Sequence, residues 1–366
     1  MTTQTLDVLT TPVAVVDLDR MEANLDRMAE YARSHGLVLR PHTKTHKTPE
    51  LAQEQLRRGA SGLTVATLRE AEVMSAISDD ILIAYPPVGR ARVERLLNLP
   101  ANVRTSVALD SREALDWLFQ AARATGREVG VLIEADLGMG RVGVASPEDV
   151  VDLARAVADR FPLRFRGLLF YPGHIREPVD AQDASLARLS CDVARFREAL
   201  ERAGLAPEVV SGGSTPTALS THRIPGITEL RPGTYIFNDR TTALMDACGW
   251  EDCAYSILAT VVSTAVPGQA VVDAGAKAIA REEIRGTGAG GFGALVHRPD
   301  IVIKGMSEEH GLLDLSNTDW RPRIGDRVRI VPNHVCVSVN LQPALYYVRG
   351  DTIERSLPVL ARGWAS

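Results

Sequence analysis

The chain has 366 residues, of which 45% are hydrophobic and 24% charged, and this ordinary composition excludes a disordered chain, a collagen-like repeat and a coiled coil. At roughly 150 residues per domain, the length predicts two domains, or one large barrel with an appendage. The net charge of -5 leaves no excess of basic residues, so we expect neither nucleic acid nor a membrane surface as a partner. Small-molecule chemistry is therefore favoured.

Membrane insertion and secretion are not expected either. Apolar runs such as Ile301 to Ile303 fall far short of the ~20 residues needed to cross a bilayer. The polar residues 1–11 do not resemble a secretory signal, so we expect a cytoplasmic protein. The four cysteines lack metal-knuckle spacing and are expected to be free thiols: Cys191, Cys248, Cys253 and Cys336.

Strand and helix patterns alternate over the first two-thirds of the chain. A strand-like segment at 12–18 is followed by apolar residues spaced three and four apart, which predict a helix ending at Gly36. Eight further strands are predicted at 37–40, 63–66, 81–85, 103–109, 129–135, 165–170, 208–211 and 227–230. Predicted helices between these strands include 50–58, 112–125, 147–160 and 184–203. This alternation predicts an α/β fold with a (β/α)8 TIM-type barrel, and a doubly wound open sheet is the alternative.

The pattern changes after about residue 240, where strands follow one another with no helices between them. These strands are predicted at 261–263, 270–273, 327–332, 335–339 and 345–349. They predict a C-terminal, mostly antiparallel β domain. The predicted domains are therefore 12–245 for the barrel and 246–366, together with 1–11, for the β domain.

A basic segment follows the first barrel strand. Residues 40–47 read Arg-Pro-His-Thr-Lys-Thr-His-Lys, and they contain Lys44 and Lys47, two of only four lysines in the chain. Barrel active sites lie at the carboxyl ends of the strands, so this position favours a role in catalysis. A lysine in a dry, cation-rich site has a depressed pKa and can form a Schiff base with a carbonyl group. A solvated basic turn is the alternative.

Glycine-containing segments follow the last two barrel strands. They read Gly-Gly-Ser-Thr at 212–215 and Arg-Pro-Gly-Thr-Tyr at 231–235. Barrels commonly bind phosphate at this place through backbone N–H groups and hydroxyls. Combined with a lysine at the rim, the segments indicate pyridoxal 5'-phosphate (PLP) as the cofactor. The glycines at 138–143 do not form a dinucleotide-binding motif, because no ribose-binding acidic residue follows in context.

A histidine and a cysteine lie two residues apart in the predicted β domain. His334 and Cys336 fall in a strand pattern, so both side chains are predicted to point to one face. Such a pair can hold a divalent cation such as zinc and leave coordination positions open. A purely structural pair is the alternative.

Eight motifs occur in order along the chain. They are RPHTKTHK at 40–47, GRVG at 140–143, YPGH at 171–174, GGST at 212–215, TELRPGTY at 228–235, DAGAK at 273–277, SEEH at 307–310 and PNHVC at 332–336. In these motifs the sequence resembles the D-threonine aldolase and D-serine dehydratase family, fold-type III PLP enzymes related to alanine racemase. The resemblance implies a PLP barrel whose N-terminal strand joins a C-terminal β domain. It also implies a homodimer with active sites near the interface.

The resemblance assigns roles to individual residues. Lys44 would carry the cofactor, and Lys47 would be structural. Arg141 would face the phenolic oxygen of PLP, and Arg231 would be the partner of its pyridine nitrogen. The resemblance places further cofactor-binding residues at Gly213, Ser214, Thr215, Gly233 and Thr234, which would bind the phosphate, and at Tyr171 and Tyr235. His334 and Cys336 match the metal pair of the family, with zinc, manganese or magnesium as the ion.

The implied function is a PLP- and metal-dependent lyase acting on a small-molecule D-amino acid with a 3-hydroxyl group. We expect aldolase-type cleavage to glycine and an aldehyde, and dehydration to a 2-oxo acid and ammonia is the alternative. Two departures bear on the choice: His-x-Cys is of the D-serine dehydratase type, and Glu177 occupies the place of the aldolase base. His174 is the predicted hydroxyl base from a shifted position. An amino-acid racemase and a non-catalytic PLP-binding protein are the remaining alternatives.

Overall fold

The computed structural model describes residues 4–284 and 288–363. Its strands are β1 (Val13–Asp17), β2 (Val38–Leu39), β3 (Leu63–Val65), β4 (Asp80–Ile83), β5 (Arg104–Leu109), β6 (Val129–Glu134), β7 (Leu163–Leu169), β8 (Val209–Gly212), β9 (Glu229–Leu230), β10 (Tyr255–Ser263), β11 (Gln269–Val272), β12 (Gly293–Leu295), β13 (Arg298–Met306), β14 (Gly311–Asp314), β15 (Arg327–Pro332), β16 (Ala344–Arg349) and β17 (Thr352–Pro358). Its α-helices are α1 (Leu18–Ser34), α2 (Pro49–Arg57), α3 (Leu68–Met74), α4 (Arg90–Leu97), α5 (Arg112–Thr125), α6 (Pro147–Ala158), α7 (Asp183–Arg202), α8 (Arg240–Leu244), α9 (Ala276–Ile279) and α10 (Val335–Leu341). Short 3-10 helices at Leu6–Val8, Thr43–Thr45, Val179–Ala181, Ala218–Arg223, Thr234–Ile236 and Trp250–Asp252 complete the described elements.

Strands β2 to β9 form the predicted parallel barrel. Their order in the sheet is β2-β9-β8-β7-β6-β5-β4-β3. A parallel bridge between His42 and Thr64 joins the two ends, and the Ser61 N–H donates to the Leu39 carbonyl at 2.9 Å beside it. The sheet is therefore closed, and the open-sheet alternative is wrong.

The helices around the barrel follow from amphipathic patterns and caps. In α5 the apolar residues Leu115 and Leu118 are fully buried against the barrel. The helix begins where the Ser111 hydroxyl accepts from the Ala114 N–H at 3.4 Å. It ends at Gly126, whose φ of +70° closes the helix in the left-handed conformation. These signals are local, and the predicted bounds of this helix agree with the structure.

The second sheet has nine strands and is mostly antiparallel, as expected. Strand β1 lies in it, antiparallel to β10 and parallel to β16, although the sequence analysis groups residues from 12 onward with the barrel. The reason is hydrogen bonding: Val13 to Val16 pair with residues 255–258 and not with a barrel strand. The chain therefore starts in the second sheet and enters the barrel through α1.

The predicted strand at 335–339 is wrong, because these residues open helix α10. Val335, Ser338 and Val339 are buried at helical spacing, and the Ser338 hydroxyl donates to the Ala278 carbonyl at 3.0 Å. Alternating apolar and small polar residues in so short a segment fit both the strand period of about 2 residues and the helix period of about 3.6. Packing against α9 stabilises the helix.

One hydrophobic cluster joins the barrel to the second sheet. It contains Met21 and Leu25 of α1, Leu230 of β9, and Ile257 and Tyr347 of the second sheet. Within residues 4–284 and 288–363, none of the helices is both long and apolar enough to span a membrane.

Candidate active site

Lys44 lies at the carboxyl end of the first barrel strand, in the turn Thr43–Thr45. Its Nζ is 5.6 Å from the centre of the Tyr171 ring. The guanidinium carbon of Arg141 is 5.2 Å from the centre of the same ring. The structure thus brings together three residues that the sequence predicted for the cofactor site.

His42, two residues before Lys44, is buried and held neutral. Burial, and then the positive charges of Lys44 and Arg231, keep the pKa of His42 well below its usual range. The neutral ring accepts from the Lys44 backbone N–H at 3.4 Å through Nδ1. Lys47 lies apart and donates from Nζ to Glu70 Oε1 at 2.6 Å, so it is occupied by a buried ion pair.

The loop after β8 has the geometry of an anion site. Gly213 has a φ of +89°, and a Cβ there would lie 2.5 Å from Leu230 Cδ1, so only glycine fits. The backbone N–H groups of Gly213, Thr215 and Gly233 have no acceptor among the described residues, although all three residues are buried. Buried N–H groups without acceptors at a glycine turn are a place for a phosphate.

Side chains hold this loop to the next one. The Thr215 hydroxyl accepts from the Tyr235 N–H at 3.2 Å, and Ser214 Oγ lies 3.0 Å from Thr217 Oγ1. The Tyr235 hydroxyl accepts from Gln55 Nε2 at 3.0 Å. Tyr235 therefore shapes the anion site with its backbone, while its hydroxyl points to α2.

Arg231 follows β9 and is buried. Its Nε donates to Ser211 Oγ and its Nη2 to the Phe170 carbonyl, both at 2.7 Å. Burial lowers the pKa of this arginine from its ordinary value, and the carboxylate of Glu229 opposes that effect. The guanidinium is thus held rigidly inside the mouth of the barrel.

His334 and Cys336 meet at the same mouth, from the N-terminus of α10 and not from a strand. His334 Nδ1 lies 3.2 Å from Asp239 Oδ2, and the Val335 N–H donates to the same oxygen at 3.1 Å. Cys336 Sγ lies 3.2 Å from Thr45 Oγ1. Asp239 therefore orients the pair on one side, and on the other side the pair adjoins Thr43–Thr45, the lysine turn that carries Lys44.

The electrostatics of this pair suit a cation. Burial would raise the pKa of Cys336, but the charges on His334 and Lys44 outweigh it and lower that pKa to about 7. The Cys336 charge, and after it Asp239, raise the pKa of His334 well above its usual range against the opposing effect of burial. A thiolate next to an imidazole is a ligand set that a divalent ion such as zinc accepts on displacing the protons.

A cavity of about 290 Å3 lies between the loop after β8, at Ser214, and His334. Tyr171, Ser214, Thr234 and His334 belong to its lining. The lining also includes residues that the sequence reasoning did not select: Arg176, Asp239, Glu282 and Glu283. A larger cavity of about 850 Å3 opens at the amino-terminal end of the barrel strands and contains none of the predicted site residues.

His174 does not line the cavity of about 290 Å3 next to His334. It is exposed, and its Nε2 lies 3.0 Å from the place that a Cβ on Gly138 would take. Glu177, at the position of the aldolase base, accepts from the Ser185 hydroxyl at 2.7 Å and from the Arg176 N–H at 2.8 Å. The role of His174 as the hydroxyl base stays a prediction.

Asp239 was missed for a clear reason. An aspartate before a short helix indicates an N-cap, and Asp239 Oδ1 does accept from the Thr242 N–H at 2.9 Å. Its contact with His334 joins residues 95 positions apart, and no local pattern signals such a contact.

Comparison with known proteins decides the family. The model of the alanine racemase N-terminal domain matches residues 16–241, and that of the putative serine dehydratase domain matches residues 254–348. The chain belongs to the D-threonine aldolase and D-serine dehydratase family. The predicted fold and the predicted enzyme class, a PLP-dependent lyase, are confirmed with it.

Two curated relatives cover almost the whole chain. A D-threo-3-hydroxyaspartate dehydratase from Delftia sp. (strain HT23) is 37% identical over 95% of this chain and 96% of its own length. A 3-hydroxy-D-aspartate aldolase from Paracoccus denitrificans (strain Pd 1222) is 34% identical over 96% of this chain and 92% of its own.

Solved structures of family members have the same fold. The D-threonine aldolase from Filomicrobium marinum superposes with a TM-score of 0.90 at 34% identity, covering 99% of this chain and 98% of that one. A metal-free D-threo-3-hydroxyaspartate dehydratase, with one cysteine replaced by alanine, gives 0.89 at 34% identity, covering 99% and 100%. In a further variant of that dehydratase, a histidine two positions before this cysteine is replaced.

Proposed function

We propose that the chain is a PLP- and divalent-metal-dependent lyase that cleaves D-3-hydroxy amino acids to glycine and an aldehyde. The observation that carries the proposal is that the turn with Lys44 contacts the His334–Cys336 pair, with Thr45 Oγ1 3.2 Å from Cys336 Sγ, and that His334 lines the cavity together with Tyr171. A site that receives an amino group at Lys44 and a hydroxyl at this pair selects substrates with those groups on adjacent carbons.

The residues present fit PLP. The unpaired N–H groups of Gly213, Thr215 and Gly233 would hold the phosphate, and Lys44 would hold the aldehyde carbon. The side chains of Arg141 and Arg231 would face the phenolic oxygen and the ring nitrogen. When bound, PLP supplies an electron sink for the bond that breaks at Cα.

Lys44 is placed to move a proton at the substrate Cα. Its side chain is half-buried, and Nζ lies 5.6 Å from the centre of the Tyr171 ring, which Arg141 also contacts. His174, on the same loop as Tyr171, is the predicted acceptor of the proton that the substrate hydroxyl loses. Glu177 is bound to Ser185 and Arg176 and is not free for this task.

The residues present also fit a catalytic metal ion. His334 and Cys336 form a two-residue donor set, and no group of three His, Cys, Asp or Glu side chains gathers elsewhere in the described ranges. Two protein ligands leave positions open for a substrate hydroxyl and water, as a catalytic ion requires. The ion would supply Lewis acidity at that hydroxyl, and the thiolate favours zinc over manganese or magnesium.

Dehydration is the second candidate, and the His-x-Cys pair favours it. The two replaced positions in the dehydratase variants have the same residue types and the same spacing as His334 and Cys336. With Lys44 removing the Cα proton, loss of the hydroxyl would give a 2-oxo acid and ammonia from the same site.

A racemase fits less well. It would need a second base facing Lys44 across the cofactor, and Tyr171 is the sole phenol in the described lining of the cavity. Tyr171 packs against Lys44 itself, with 5.6 Å between Lys44 Nζ and the ring centre.

Identification of the products tests the proposal. The metal-loaded enzyme is incubated with D-threonine, D-serine and D-threo-3-hydroxyaspartate, before and after chelation. We expect glycine and an aldehyde, lost on chelation and restored by a divalent ion. A 2-oxo acid with ammonia would assign the dehydratase reaction, whereas an L-isomer, or turnover that survives chelation, would contradict the proposal.

We also propose that the enzyme acts in the cytoplasm as a homodimer. Family membership supports the dimer, since the resemblance implies a dimer with its sites near the interface. Light scattering of the purified holoenzyme tests the assembly, and a monomeric mass with full activity would contradict it.

A further inference from the structure

Arg231 is the first member of a chain of buried polar groups inside the barrel. Its Nε donates to Ser211 Oγ at 2.7 Å, and the Ser211 hydroxyl donates to Glu229 Oε1 at 2.6 Å. Ser211 on β8 and Glu229 on β9 are register partners. Glu229 and Arg231 lie two residues apart, so both side chains point into the barrel.

The chain continues toward the opposite end of the barrel. Arg40 Nε donates to Glu229 Oε2 at 2.6 Å, and Arg40 Nη1 donates to Asp80 Oδ1 at 2.7 Å. Arg104 Nη2 donates to Asp80 Oδ2 at 2.8 Å, and the Arg104 side chain is 77% exposed. The chain thus begins at the active site and ends in solvent, and its charges alternate in sign.

The direction of every hydrogen bond in this chain is fixed. A guanidinium only donates and a carboxylate only accepts, so the Ser211 proton must point to Glu229. Of the Arg231 nitrogens, Nε and Nη2 are engaged, and Nη1 makes no hydrogen bond to a described residue. The protein therefore anchors one side of the guanidinium and leaves the other as a donor.

We propose that Ser211 and Glu229 are positioning residues that fix Arg231 as a donor to the ring nitrogen of PLP. The inference rests on the proposed cofactor contact of Arg231. An arginine can donate to a ring nitrogen only while that nitrogen carries no proton. Anchoring of Arg231 by the Ser211–Glu229 pair thus keeps the ring nitrogen unprotonated and the cofactor tightly held.

Ser211→Ala tests the inference, because it breaks the chain and leaves every charge in place. We expect PLP affinity of the refolded apoenzyme to fall by about 10- to 100-fold, the range for partners that orient a ligand. We also expect the absorption band of the lysine-bound cofactor to shift and to change its pH dependence. Ser211→Thr, which keeps a hydroxyl, should restore both.

Ser106→Ala is the matched control, since it removes another buried serine hydroxyl of the barrel. Its PLP affinity and absorption should equal those of the wild type. If Ser211→Ala does not fold, Glu229→Gln provides the same readout. Wild-type affinity and absorption in a folded Ser211→Ala or Glu229→Gln variant would overturn the inference.

The readouts separate this inference from the proposed function. Absence of lyase products would refute the function, while PLP affinity and absorption would still report on Ser211. Arg231→Lys tests the underlying contact, and an unchanged spectrum in that variant would refute both this contact and the inference that rests on it.

Discussion

At the residue scale, Lys44 is the first group to test. Lys44→Ala should lower turnover by roughly 10³-fold or more, the scale for loss of a catalytic group, because the other three lysines are paired with Glu70, Glu308 and Asp314. Borohydride reduction of the holoenzyme and peptide mapping should label Lys44. Lys277→Ala is the control, because Lys277 pairs with Glu308 and Glu309 at the surface. A label on Lys47 or Lys277 would show that the assignment is wrong.

Asp239 is the second residue to test, as the group that orients His334. In Asp239→Asn the side-chain NH2 replaces one carboxylate oxygen, so it faces either His334 and the Val335 N–H or the Thr242 N–H, and the backbone N–H that it faces loses its acceptor. If the NH2 group faces the His334 ring, His334 Nδ1 must accept a hydrogen bond from it. The ring proton then moves to Nε2, the nitrogen that would bind the metal ion. We expect affinity for Co2+, followed by its thiolate absorption band, to fall by about 10- to 100-fold.

A control separates this effect from loss of the helix cap. Thr242→Val removes the capping-box hydroxyl, which accepts from the Asp239 N–H at 2.8 Å, and leaves the Asp239–His334 contact in place. It should lower stability by about 1 kcal/mol without changing Co2+ affinity. Equal losses of Co2+ affinity in both variants would mean that Asp239 acts only through the helix.

At the element scale, His46 ties the lysine turn to α2. Gln55 Nε2 donates to Tyr235, so its Oε1 faces His46 Nε2 at 3.2 Å and must accept from it. The other ring nitrogen, Nδ1, therefore accepts from the Thr48 N–H at 3.2 Å. Both nitrogens of the neutral ring are thus satisfied, and the turn that carries Lys44 is held in one conformation.

This arrangement predicts a pH dependence of stability. Burial lowers the pKa of His46 from 6.5 to about 4, against the opposing hydrogen bonds to Gln55 and Thr48. Between these values the unfolded chain takes up a proton that the folded chain does not. The contribution of His46 to stability is therefore fully present above about pH 6.5 and falls as the pH drops to about 4, by about 3 kcal/mol at most.

Urea unfolding at several pH values between 7.5 and 4 measures this loss. His46→Gln should flatten the slope, whereas His297→Gln, at an exposed position, should retain it. The same slope in His46→Gln as in the wild type would show that other groups cause the loss.

Helix α10 shows how far local patterns reach at this scale. The residue types at His334 and Cys336 were readable from sequence, but the element that carries them was not. The burial of Ser338, with its bond to Ala278 and its 2.9 Å contact with Tyr255, depends on residues more than fifty positions away. When the pattern of a short segment fits both a strand and a helix, such distant contacts determine which of the two forms.

At the scale of the whole molecule, the shared hydrophobic cluster predicts cooperative unfolding. Barrel residues such as Leu39 and second-sheet residues such as Ile257 and Tyr347 are fully or almost fully buried in that cluster. Because neither part buries this surface alone, calorimetry of the purified protein should give one transition. Leu39→Ala should lower stability by about 2–5 kcal/mol and keep a single transition. Two resolved transitions would contradict this view.

The sequence by itself determined what depends on residue type and on local period. The eight barrel strands, the helix at 112–125, the basic segment around Lys44 and the His334–Cys336 pair were predicted in this way, and the family resemblance added the role of Arg231. The tertiary structure alone decided the closure through His42 and Thr64 and the buried contacts of Asp239 and Ser211. These contacts join residues that lie 18 to 95 positions apart in the sequence, and only packing of the whole chain brings such residues together.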